Sequence, residues 1–272
     1  MKRNITIPVI IIFVLMNFYS CTKDTFHRIL TNPTTYTSYI KVVHAAPAFT
    51  QVFNMPDNFN VVVGGVNGLR VAAAFTYNSA FPANTLNTDT YAAVPSGSQD
   101  IRLVLKGVVN IDSSVTAAII PKNLDPGNFY TLIITDSISS SNYSAIWTQD
   151  VFPTPAAGTY SIRFIHAVMN DTAGKKVDVY STKQAATIFT NVSPGAVTGF
   201  SSLPYVTGDT IIVRRAGTAF ELDRFPRSTA QVPAQVPVAY TNNQRVYTIL
   251  YKGNAVSTAG TKGRSIIVFN NR

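Results

Sequence analysis

One cysteine, one glutamate and three histidines are the whole supply of those residues in this chain of 272. The lone cysteine, Cys21, rules out an intramolecular disulfide, so any core must hold itself together by packing. Catalysis needs converging acid/base or nucleophilic groups, and Glu221 stands without a partner in the sequence. No Gly-rich phosphate loop follows a strand, and no His/Cys/carboxylate cluster has metal-ligand spacing. Ser139-Ser-Ser-Asn142 lacks the pattern of a nucleophile elbow. Asp57-Asn-Phe-Asn60 puts Phe59 where a calcium loop needs an oxygen ligand, and Asp125-Pro-Gly-Asn128 reads as a turn. The sequence therefore predicts no enzyme, no cofactor and no metal site.

Charge is scarce as well. Charged residues make up 13% of the chain against 46% hydrophobic, a balance that excludes disorder as the dominant state. Beyond the N-terminus there is no apolar pattern at helical spacing. Short runs rich in Val, Ile, Thr, Tyr and Phe alternate instead with Gly, Pro, Asn, Asp and Ser, which predicts an all-β protein.

Residues 1–20 have the order of an export signal. Lys2 and Arg3 precede an apolar segment from Ile5 to Phe18, too short for the roughly 20 residues that span a bilayer. The segment ends in Phe18-Tyr19-Ser20-Cys21 and resembles a bacterial lipoprotein signal, in which a small residue precedes a cysteine that receives lipid. The resemblance implies lipidation at Cys21 and a place on the outer membrane, facing the periplasm or the cell surface. An ordinary secretory signal with an incidental cysteine is the alternative. Residues 21–36 are polar and Thr-rich and read as a tether, with His27 solvated within it.

Two stretches organise the rest: Tyr39-Ile-Lys-Val-Val-His-Ala-Ala-Pro47 and Tyr160-Ser-Ile-Arg-Phe-Ile-His-Ala-Val168. Each reads as a strand with a basic residue, Lys41 or Arg163, set among aliphatics and ending in His-Ala. Later landmarks recur in the same order. Val94–Asp100 and Ile101–Leu105 are answered by Leu203–Asp209 and Thr210–Arg214, Tyr130-Thr by Tyr247-Thr, and Ser144 by Ser265. The His-to-Ser span agrees to within one residue, so one fold is used twice. The predicted organisation is a β-sandwich repeat over 37–152, a Pro-rich linker over 153–158 and a second repeat over 159–272. The fold class is two tandem Ig-like antiparallel β-sandwich domains, each folding alone. Because His44 and His166 share one landmark, both are expected to serve the scaffold.

These motifs resemble the bacterial domain-of-unknown-function family 4397. The matching residues are His44-Ala-Ala-Pro47, His166-Ala167, Val177-Asp-Val-Tyr180, Tyr130-Thr and Tyr247-Thr. The resemblance implies a tandem, exported, β-rich protein and carries no activity or site residue.

The net charge of +9 is unevenly placed. Residues 21–158 carry 7 basic and 8 acidic side chains, a net of −1; residues 159–272 carry 13 and 5, a net of +8. An anionic glycan or lipid is the partner that such a basic second repeat suits, and no nucleic-acid partner is expected. Aromatics gather in the first repeat at Phe49, Phe53, Phe59, Tyr77, Phe81 and Tyr91. Core packing is their commoner use, and Tyr77 and Tyr91, with polar tips, are the candidates for an exposed ligand site. The expected function is a lipid-anchored surface binding module for glycan or protein. The alternative is a structural or adhesive subunit that assembles by strand addition.

Overall fold

A computed structural model describes residues 36–47, 58–64, 69–82, 91–105, 116–135, 145–171, 176–226, 244–256 and 262–271. The signal, Cys21, His27, Phe49, Phe53 and Ser144 lie outside these described residues.

The described chain is nearly all β. Its first half comprises β1 (Thr37–His44), β2 (Asn58–Val63), β3 (Leu69–Thr76), β4 (Ala80–Phe81), β5 (Ala92–Pro95), β6 (Gly97–Leu105), β7 (Thr116–Leu124), β8 (Phe129–Ile134) and β9 (Ala145–Gln149). The second comprises β10 (Thr159–Ala167), β11 (Val177–Ser181), β12 (Ala186–Val192), β13 (Ser201–Pro204), β14 (Ile211–Arg215), β15 (Glu221–Phe225), β16 (Val246–Lys252) and β17 (Ser265–Asn270).

Four sheets result. The first half holds β4-β1-β8-β9, with β5 also on β1, and β3-β2-β6-β7. The second holds β13-β10-β16-β17 and β12-β11-β14-β15. No pairing among the described strands crosses from one half to the other. The registers repeat: Ile40 faces Tyr130 on β8 as Ile162 faces Tyr247 on β16, and Val61 faces Leu103 as Val179 faces Val213.

One expectation is corrected here. Antiparallel sandwiches were predicted, yet β1 pairs β8 in parallel and β10 pairs β16 in parallel. A parallel pair needs a long crossover, and the intervening strands of each half, which build the other sheet, supply it. The Asp125–Asn128 turn lies at the start of this pair: Gly127, at φ 77°, donates its N–H to the Thr37 carbonyl at 2.8 Å. Gly158 likewise ends the linker in the left-handed region, with φ 77°, where a Cβ would be strained.

Burial shows how the sheets stack. Ile40, Val42 and Leu132 pack against Val61, Leu103 and Ile120 across the first half. Ile162, Phe164 and Ile249 pack against Val179, Ile211 and Val213 across the second. A third cluster joins the halves, with Val43, Ile133 and Ile146 on one side and Ile165, Leu250 and Phe269 on the other. The inner strands are thus buried on both faces, which is why β1 and β10 read as near-continuous apolar runs. The layer order is outer sheet, inner sheet, inner sheet, outer sheet. Burial of each large aliphatic in the third cluster is worth about 1.5–3 kcal/mol, the same term that holds each half. The two repeats, joined by the Pro-rich linker, share this buried face.

Candidate functional site

His44 and His166 are both fully buried. In each copy the imidazole Nδ1 accepts the backbone N–H two residues on, from Ala46 or Val168, at 3.3 Å. Their own N–H groups donate to Ser79 and Ala196 carbonyls at 3.0 and 3.1 Å, again at matching points of the two copies. Aromatic rings enclose them: Phe59 and Tyr77 beside His44, at 4.7 and 5.9 Å, and Tyr251 beside His166, at 5.3 Å. This geometry fixes the turn that leaves the strand.

The basic residue of each opening strand points into the interface between the halves. Lys41, 2% exposed, crosses to donate to the Asn270 carbonyl at 3.0 Å and lies over the Tyr91 and Phe269 rings. Arg163, also 2% exposed, crosses the other way and pairs with the Asp150 carboxylate at 2.6 Å. Its guanidinium stands over Phe200, the residue before β13, as Lys41 stands over Tyr91, the residue before β5.

A closed ring of polar contacts follows. Arg163 Nε donates to Thr248 Oγ1 at 2.8 Å, and that hydroxyl donates to Asn271 Oδ1 at 2.6 Å. Asn271 Nδ2 donates to the Tyr91 hydroxyl at 3.0 Å, and Tyr91 donates to Asp150 Oδ2 at 2.7 Å. Asp150 Oδ1 then meets Arg163 and completes the circuit; Thr131 Oγ1 adds a bond to the same carboxylate at 2.5 Å. Low local dielectric strengthens such a network when every member is satisfied.

The tyrosines chosen from sequence fall into this framework. Tyr91 is half-buried, its hydroxyl bonded to Asp150 and Asn271 and its ring edge-on to Phe129 and Phe152. Burial, and next the Asp150 charge, hold that hydroxyl's pKa far above the ordinary tyrosine value. Tyr77 packs edge-on to His44, with Lys252 over its ring at 4.6 Å; Lys252 also reaches Asn78 and Ser265. Tyr130 stacks on Trp147, its hydroxyl accepting the Asp125 N–H at 3.0 Å, while Tyr247 is buried beside Tyr160. Phe59 is a core residue, and Phe81 packs against the same core. Burial also raises the hydroxyl pKa of Tyr160, which is near Asp209, and of Tyr251.

A groove of about 400 Å³ opens to solvent beside this network, at the junction of the halves. It is lined by Thr148, Gln149, Val151, Phe152 and Pro153 from the first half and the linker, and by Arg163, Val197, Thr198, Gly199 and Phe200 from the second. Phe152 touches rings of both halves, with Tyr91 at 5.9 Å, Phe129 at 5.5 Å and Phe200 at 6.4 Å. Sequence reasoning missed this site, since Phe152 precedes the linker and Phe200 ends a loop, and neither belongs to a motif. The one usable signal was the ring that precedes both β5 and β13, Tyr91 and Phe200. Among the described residues, no group of three His, Cys, Asp or Glu side chains could hold a metal ion.

No family model matches the chain, and no curated protein matches it. A similar solved structure is the Bacillus anthracis TIE protein, at 10% identity and a TM-score of 0.21; the match covers 80% of this chain and 34% of that one. The chain therefore spans about a third of that protein's length, and a likeness this slight carries no argument.

Proposed function

We propose that this chain is a non-enzymatic, lipid-anchored protein of the outer membrane that acts as a surface binding module for glycan or protein. The observation that carries the reading is the aromatic-walled groove at the junction of the halves, concave and mainly apolar with a few polar groups, as ligand sites usually are. The Ser20-Cys21 signal supports the anchor, and the resemblance to family 4397 belongs to the same reading. The basic excess of residues 159–272 supports an additional electrostatic contact with an anionic glycan or lipid, although Arg163 and Lys252 are buried and add nothing to the exposed field.

Assembly by strand addition is less well supported. Of the described edge strands, β12 pairs with β11 through two register shifts, and Asn191 within it has φ 55°; both features twist that one edge away from a new partner. The test joins two measurements on the mature chain. Saturable binding of a glycan or a purified envelope protein by a monomer supports the module; concentration-dependent oligomers without such binding replace it with the structural subunit. For the anchor, Cys21→Ser should abolish lipid labelling and release the protein from the membrane fraction.

A further inference from the structure

We infer that the groove between the halves binds an uncharged hexopyranose unit of a glycan, its apolar face against Phe152 and Phe200 and its hydroxyls on Thr148, Gln149 and Thr198. The inference rests on the binding-module reading and narrows it to one ligand class. The two rings stand 6.4 Å apart at 62°, so they form two walls of a wedge rather than a flat stack. A flat pyranose ring offers one face of C–H bonds and an edge of hydroxyls, and the groove has both kinds of surface.

Charge decides among the alternatives. Arg163 is the one charged side chain among the groove residues, and its guanidinium is already matched by Asp150 at 2.6 Å and by Thr248 at 2.8 Å. An acidic ligand would therefore compete with an existing buried ion pair for a cation that is 2% exposed. A cationic ligand finds no carboxylate among the lining side chains. A wholly apolar ligand would bury the exposed Gln149 amide against nothing that bonds it, at a desolvation cost; the Thr148 and Thr198 hydroxyls already donate to the Gln149 and Gly199 carbonyls and keep only acceptor capacity for a ligand. A neutral, hydroxyl-rich ring meets none of these penalties. The groove also draws residues from both halves, so its shape depends on the closed network beside it.

The experiment uses the soluble mature chain, an array of neutral glucose-, galactose-, mannose- and N-acetylglucosamine-containing oligosaccharides, and matched uronate- and sialate-bearing ones. Hits are followed by calorimetric titration at low and high salt. Two variants accompany it: Phe200→Leu keeps apolar bulk but removes a ring, and Gln149→Ala changes an exposed side chain away from the core. The expected result is neutral-glycan binding that is insensitive to salt, weakened about tenfold by Phe200→Leu and a few-fold by Gln149→Ala. Binding confined to acidic glycans, lost in salt and unaffected by both variants, overturns the inference but leaves a binding module with its site elsewhere. Binding of a protein and no glycan likewise removes only the inference. Binding of neither class removes both. Should Phe200→Leu melt early, Gln149→Ala decides alone.

Discussion

Lys41 and Arg163 occupy the same register position in the two copies, opposite Thr131 and Thr248, and each reaches across to the end of the last strand of the other half. Lys41 ends on the Asn270 carbonyl and Arg163 on Asp150, the residue directly after β9. The interface is thus a near two-fold exchange of cations. That geometry governs how the protein should respond to change.

The Arg163–Asp150 pair is buried, so removing one partner strands the other charge. Arg163→Met or Asp150→Leu alone should cost about 3–5 kcal/mol, whereas the double replacement should recover most of the loss. Urea denaturation of the four proteins measures this. Single losses below about 1 kcal/mol would mean that the pair is solvated in solution.

Because the third cluster joins the halves, heating should give one cooperative transition rather than two. Calorimetry of residues 21–272, comparing calorimetric and van't Hoff enthalpies, checks it. Two separated peaks would show that the shared face opens before either core.

His44→Ala and His166→Ala should each lower stability by about 1–3 kcal/mol, because each leaves a buried backbone N–H without its acceptor. The two effects should be alike, and both should appear in the same melting transition. A large effect at one position and none at the other would separate their roles.

Tyr91, Tyr160 and Tyr251 have hydroxyl pKa values raised by burial above the unfolded value of about 10. Below that pH both states hold the proton and the stabilisation is fully present. Above it the unfolded chain releases protons that the folded chain keeps, so stability falls as pH rises, by up to about 1.4 kcal/mol per unit for each such group. Ultraviolet titration should show a set of tyrosines that ionise only together with loss of native circular dichroism. Complete ionisation in a chain that is still folded would contradict their burial.

Much of the fold was legible in the sequence because strand identity is local. The strands β2, β6, β8 and β9 follow apolar runs bounded by turn residues, and the duplicated His-Ala ends mark β1 and β10. The short β4 and β5 were not legible: Ala80–Phe81 and Ala92–Pro95 have little pattern of their own and are strands only because β1 offers them an edge. Period-two reading left Lys41 and Arg163 without an assigned place, since no local rule announces a second sheet lying over that face. The groove was invisible for the same reason. Phe152 and Phe200 lie far apart along the chain and meet only when the halves dock.

Asp150 and Asn271 hold equivalent places, each following the last strand of its half, and they differ by one exchange of oxygen for nitrogen. That exchange makes the two repeats non-interchangeable. Two second halves placed face to face would set Arg163 against the Asn271 carboxamide, leaving a buried guanidinium with no countercharge. Two first halves would give each Lys41 a carboxylate but no Arg163 to hold the ring of bonds closed. Only unlike halves close the ring, so the chain's own second half is the match for its first, and neighbouring molecules can compete for it only by offering the same unlike partner.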